Sequence, residues 1–165
     1  MKKPKRIKPK KGQESVWDYP RPPKLEKVDK PIEIYFNDTL LAKTNRAYRV
    51  LETSHPPVYY IPPEDINQSY LIHSDRITHC EFKGKGAYFH VKVQNEVAMD
   101  AAWYYDNPRP GFELIKNYPA FYANKMQKCL VGGEQIEPQP GDFYGGWVTS
   151  NIVGPFKGEE GTWGW

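Results

Sequence analysis

No stretch of this chain keeps apolar residues on one helical face for three turns, whereas several stretches alternate apolar and polar residues. An amphipathic helix needs a period of about 3.6 residues and a half-buried strand a period of two. The chain is therefore expected to be mainly β, with little helix. Ala87, Phe89, Val91 and Val93 share one face against Tyr88, His90 and Lys92, and Gln94-Asn95-Glu96 turns the chain. Val97, Met99, Ala101 and Trp103 then alternate again, which predicts a hairpin. A second pair runs from Ile32, Ile34 and Phe36 through an Asn37-Asp38 turn into Thr39–Ala42, and further strand signals cover Ala47–Thr53 and Val58–Ile61. Pro62–Ile66 reads as a single helical turn, with proline tolerated at its start. Phe121–Val131 fits a short helix or a turn and strand, and Gly132-Gly133 is a hairpin signal between Cys129–Val131 and Glu134–Ile136.

At 165 residues the chain has the length of one domain. A content of 39% hydrophobic and 15% aromatic residues can repay the entropy of folding, so the chain as a whole is not a disordered one. Residues 14–31 read as an extended arm, since Pro20, Pro22, Pro23 and Pro31 forbid a regular helix while Trp17 and Tyr19 can be buried. Nine of the 13 glycines lie at or after Gly132, together with Phe143, Tyr144, Trp147, Phe156, Trp163 and Trp165. Residues 132–165 are thus expected as an irregular strap packed on the sheets, within a single domain of residues 14–165. Phe82-Lys83-Gly84 recurs as Phe156-Lys157-Gly158, three residues being too few to define a repeat.

The net charge of +3 is unevenly placed. Seven of the 23 bases sit in residues 1–12, which leaves 16 against 20 acids, so the rest of the chain is mildly acidic. Residues 1–13 are expected to be a solvated, disordered basic tail. A nucleic-acid module would also place bases among aromatics on the fold itself, which the sequence does not suggest, so nucleic acid is not an expected partner.

Several chemistries lack their residues. No run approaches the length of a membrane span, and no apolar stretch follows the basic N-terminus as a secretory signal requires. Cys80 and Cys129 make no disulfide framework, so a reducing, cytoplasmic setting is the expectation. Cys80, Cys129, His55, His73, His79 and His90 have no close-spaced ligand pairing, and no metal is expected. Phosphate loops, clustered carboxylates and a serine nucleophile elbow are all missing, and no cofactor is expected.

What remains is a set of single polar residues next to aromatics. Glu52 ends one strand signal and Tyr59-Tyr60 lie in the next; Cys80, Lys83 and Tyr88 share a segment, and Trp103, Tyr104 and Tyr105 close the hairpin. Each has an ordinary structural role available: Glu52 as ion-pair partner of Lys83 or Arg49, Cys80 as a small buried hydrophobe, Trp103 as a core anchor. Brought together on adjacent strands they would form a small-molecule pocket, with Glu52, Lys83 and Cys80 supplying polar contacts. Tyr60, Tyr88 and Trp103 would supply ring faces, and Trp147 from the strap a wall or lid. The same three polar residues are the candidate catalytic groups if the pocket is that of an acid–base or thiol hydrolase, Lys83 being placed to lower the Cys80 pKa. A third possibility is a structural or interaction module in which exposed Trp163 and Trp165 meet a partner.

Leu51-Glu52-Thr53, Pro57–Asp65, His79-Cys80-Glu81-Phe82-Lys83-Gly84, Tyr88 and Ala101–Tyr105 follow in an order that resembles the family called domain of unknown function 427. Glu14–Pro23 is similar to the arm of many members, and Phe143–Gly158 to the longer, cyanobacterial-type form. Glu81 stands where the family usually has proline, and Phe89 where it has tryptophan. The resemblance implies a compact, tent-like antiparallel β fold similar to yippee proteins and to the ligand-binding domain of cereblon, with an aromatic ligand cage. Those relatives hold zinc between paired cysteines that this chain lacks. The family is sometimes filed with nucleotidyltransferases, which would imply an enzyme acting on nucleotides, although no glycine–serine phosphate loop is present.

Overall fold

The computed structural model describes residues 4–165, and the helical segments among them are single 3-10 turns of three residues. Among the described residues no helix is long and apolar enough to cross a membrane. The architecture is mainly β, as the two-residue period requires.

The strands follow one another along the chain. β1 (Glu14–Ser15) and β2 (Lys24–Lys27) lie in the arm; β3 (Ile32–Phe36) and β4 (Thr39–Thr44) form the first hairpin. At its turn Asn37 and Asp38 both take positive φ, 48° and 57°, a conformation these two side chains tolerate and one that matches the strand twist. β5 (Tyr48–Leu51) and β6 (Val58–Tyr60) follow, then β7 (Leu71–Cys80), β8 (Gly84–Val93), β9 (Glu96–Tyr105) and β10 (Ala120–Phe121). β11 (Lys128–Val131) and β12 (Glu134–Gln135) turn at Gly132-Gly133 as expected, with φ of 59° and 81°. The strap adds β13 (Glu137–Pro138), β14 (Trp147–Val148) and β15 (Ile152–Val153).

Three antiparallel sheets result, ordered β2-β5-β6, β10-β9-β8-β7 and β12-β11-β3-β4. The strap pairs β13 with β14, and β15 runs parallel to β1. Phe121–Val131 resolves as turn and strand, with one 3-10 turn at Ala123–Lys125 between β10 and β11. Part of the expected arm is a true strand, since β2 pairs with β5 along its whole length. Within the expected basic tail, the Ile7 amide donates to the Gly154 carbonyl at 3.1 Å and the Arg6 guanidinium sits 5.3 Å from the Trp17 ring. Residues 1–3 of that tail lie outside the described residues.

Two expectations about strand faces are corrected. β7 carries no clean alternation and was not anticipated as a strand; it is the outer edge of its sheet, and a register irregularity between His73 and Ile77 interrupts its pairing. On β9, Val97 and Met99 are exposed although Ala101 and Trp103 are buried. Asp100 takes a φ of 49° between them, where the register slips by two residues: Val91 faces Ala98 and Phe89 faces Ala102, and the tyrosine-rich cluster covers the sheet at Trp103 but not at Val97.

The buried residues fall into three clusters. One gathers Ile32, Ile34, Leu41, Val91, Val93 and Trp147 between β3, β4, β8 and the strap. A second, rich in tyrosine, holds Val50, Tyr60, Tyr88, Trp103, Tyr105 and Tyr122 where β5 and β6 meet β8 and β9. The third seats Val16, Trp17, Tyr19, Leu51 and Ile152 under the arm. Each fully buried large side chain contributes about 1.5–3 kcal/mol. The arm is also locked by Arg49, which holds Glu14 at 2.8 Å and Glu26 at 2.7 Å.

Candidate functional site

A recess of about 310 Å³ opens over the tyrosine-rich cluster. This is within the usual range of small-ligand sites. Five strands, the connections between them and the strap build it, with β5 contributing Val50. β6 contributes Val58 and Tyr60, two residues apart and so on one face. β7 contributes Arg76, Thr78 and Cys80 at the same spacing, and the turn after it Glu81, Phe82 and Lys83. Tyr88 on β8 is the direct partner of Trp103 on β9, with Tyr105 two residues further along. Opposite Tyr105 stands Gly86, where a Cβ would come within 3.0 Å of Thr78 Oγ1 and 3.5 Å of the Tyr105 ring. The β5–β6 connection adds Glu52, His55 and Pro56, and the strap adds Gln139, Phe143, Tyr144, Gly145 and Lys157.

Glu52, Cys80, Lys83, Tyr60, Tyr88 and Trp103, which lie far apart in sequence, thus all line one recess. Trp147 does not. It is buried in the first cluster, stacked on Tyr59 at 5.1 Å, and its indole N–H donates to the Phe121 carbonyl at 3.0 Å. The strap wall expected from it is made instead by Phe143 and Tyr144, whose rings meet edge to face at 4.9 Å. Trp163 is exposed, while Trp165 lies tilted on Trp17 at 5.6 Å.

The floor is ring against ring. Trp103 meets Tyr122 at 4.5 Å and presents an edge to Tyr60 at 6.5 Å; Tyr105 meets Tyr60 at 6.3 Å. The Tyr60 hydroxyl is fully buried and has no hydrogen-bond partner. Burial pushes the hydroxyls of Tyr60, Tyr105 and Tyr122 well above the ordinary phenol range, so all three remain neutral. Nearer the mouth, Thr78 Oγ1 and the Tyr88 hydroxyl are 3.1 Å apart.

Charge around the mouth is arranged differently from the expectation. Glu52 pairs with neither Lys83 nor Arg49; its carboxylate lies 3.5 Å from Arg21 and 3.7 Å from His55 Nδ1. Burial holds the His55 pKa below its ordinary value, against the pull of Glu52, and its Nδ1–H donates to the Thr53 carbonyl at 2.9 Å. His55 also meets the Tyr144 ring edge-on at 4.8 Å. The three cations stand over rings: Arg76 is 4.7 Å from Tyr88, Lys83 is 6.0 Å from Tyr105, and Lys157 is 5.4 Å from Tyr144. Among the described residues no three of His, Cys, Asp and Glu gather as a metal site.

The residues not foreseen include Arg76, His55, Tyr122, Phe143, Tyr144 and Lys157. Arg76 was within reach of sequence reasoning: once Cys80 is placed on a strand, two and four residues back give Thr78 and Arg76 on its face. Tyr122 and the strap residues carry no local signal.

A family model described as a domain of unknown function (DUF427) matches residues 24–132. That span contains the recess residues from Val50 to Tyr122, while Gln139 to Gly145 and Lys157 lie beyond it. No curated protein matches the chain.

Proposed function

The chain belongs to the DUF427 family, and from that premise we propose that it binds a small molecule in the aromatic recess over Tyr60 and Trp103. The observation that carries this reading is the convergence of Glu52, Cys80, Lys83, Tyr60, Tyr88 and Trp103 on one hollow. A core that served stability alone would close over its rings, because unfilled volume forfeits contacts. In this reading Tyr60, Tyr88 and Trp103 offer ring surfaces, and Lys83, Glu52 and Cys80 offer polar contacts. Residues 14–165 act as one domain, with the strap completing the site. The two free cysteines suit a reducing, cytoplasmic setting.

Native mass spectrometry of freshly purified protein, followed by a thermal-shift screen of nucleotides, sugars and aromatic metabolites, tests the reading. A retained mass or a stabiliser whose effect grows with concentration is expected, since a ligand selective for the folded state stabilises it by mass action. The stabilisation should disappear in a folded Tyr88→Ala variant. A stabiliser that acts equally on that variant, or no retained mass and no stabiliser at all, would overturn the assignment.

A further inference from the structure

Resting on that reading of the recess, we infer that its ligand is a flat ring carrying an anionic group, and that Arg76, Lys83 and Lys157 form the clamp that receives the anion.

The three cations line the same recess from separate parts of the chain: the edge strand β7, the turn after it, and the strap. Among the described residues none of them has a carboxylate within ion-pair distance, although Arg21, Arg46 and Arg49 all do. Each is instead steadied by a ring of the recess: Tyr88, Tyr105 and Tyr144 respectively. A ring holds a cation in place without neutralising it, so the charge stays available to a ligand.

Acids at the mouth do not cancel this charge. Glu52 is already engaged by Arg21, which leaves Glu81 as the other carboxylate lining the recess. Outside residues 1–12 the chain is net acidic, so three cations around one hollow run against its overall charge. Of the two Phe-Lys-Gly triplets, both lysines reach this recess although Phe156 belongs to the cluster under the arm.

The rest of the site specifies the ring. The floor is aromatic, with Tyr60, Trp103 and Tyr105 packed ring against ring beneath the hollow. Lys157, Phe143 and Tyr144 lie beyond residues 24–132, so the strap supplies part of the clamp and one wall of the ring slot.

The test is a calorimetric titration of the full chain with 2-naphthyl phosphate, 2-naphthol and inorganic phosphate at low and high salt. The naphthyl ester is expected to bind roughly tenfold more tightly than 2-naphthol, the difference corresponding to a charge-assisted contact, and to weaken with salt. Arg76→Gln, Lys83→Gln and Lys157→Gln, checked for unchanged thermal unfolding, should each erode the preference for the ester over 2-naphthol and flatten its salt dependence. Equal affinity for the ester and the alcohol, or glutamine variants that keep the preference, would overturn the clamp and leave the recess as a binding site. Inorganic phosphate binding as tightly as the ester would overturn the ring. Failure of both naphthyl probes to bind would overturn the proposal together with the reading it rests on.

Discussion

The backbone of Gly145 lies against the edge of the Trp103 indole, so closely that a Cβ at position 145 would stand 2.2 Å from Cη2. Trp103 cannot retreat, because Tyr122 and Tyr60 hold it from other sides. Gly145→Ala is therefore expected to lift the strap and cost about 1–3 kcal/mol. Urea unfolding followed by tryptophan fluorescence measures this. An unchanged midpoint would show that the strap is not seated on Trp103.

Tyr60 presents the opposite case, a polar atom whose removal should do no harm to the empty protein. Its hydroxyl is buried without a partner, and such a group carries a desolvation cost. Tyr60→Phe should leave the unfolding free energy unchanged or raise it by about 1 kcal/mol. A loss of stability in the same measurement would show that the hydroxyl is satisfied in the folded state.

Acid should act on the protein in two steps. Burial lowers the His55 pKa from its ordinary 6.5, so the unfolded chain takes up a proton there that the folded chain refuses. Stability from this residue is complete above pH 6.5 and declines as the pH falls towards the lowered value. Carboxylates act later. Burial would raise the Glu14 pKa, but hydrogen bonds from Arg49 and Tyr19 prevail and lower it from 4.5; Arg46 and Thr44 lower that of Asp65 from 3.8. Their contributions are present above those ordinary values and vanish as the pH drops through the lowered ones. Melting temperature against pH, in the parent and in His55→Gln, should show the upper step only in the parent.

Arg49 is expected to matter more than an ordinary surface arginine. Its guanidinium is mostly buried and bridges Glu14 to Glu26, which are themselves partly exposed. Arg49→Met should cost about 1–3 kcal/mol, less than breaking a fully buried pair. It should also raise the Glu14 pKa, which carboxyl NMR titration reports. A Glu14 titration unaltered in the variant would separate the two residues.

The bulge at Asp100 makes a prediction that simple alternation would get wrong. Met99 is exposed and Ala101 buried, although both belong to the apolar set on β9. Met99→Thr should change stability by no more than about 0.5 kcal/mol, whereas Ala101→Gln should be strongly destabilising. Equal effects in thermal unfolding would show that the two side chains are equally buried.

Much of the fold was legible because its signals are local. The alternation of Ile32, Ile34 and Phe36, the Asn37-Asp38 turn, and the Gly132-Gly133 turn each act over a few residues of backbone, and all appear in the structure. β7 was not legible: an edge strand exposes most of its side chains, so its sequence lacks the apolar period that marks a buried face. Of the residues named from sequence for the recess, Trp147, Tyr59 and Tyr104 do not line it, since an aromatic residue signals only that it will pack somewhere and not in which cluster.

By itself, then, the sequence determined the strand period, the principal turns and an aromatic content that had to be buried somewhere. Tertiary structure decided which stretch of β9 is covered, which carboxylate Arg49 meets, and that Arg76, Lys83 and Lys157 stand around one hollow. Turn chemistry and side-chain alternation act between neighbours along the chain. Ion pairing, ring packing and the shape of a recess depend instead on how distant strands register against one another.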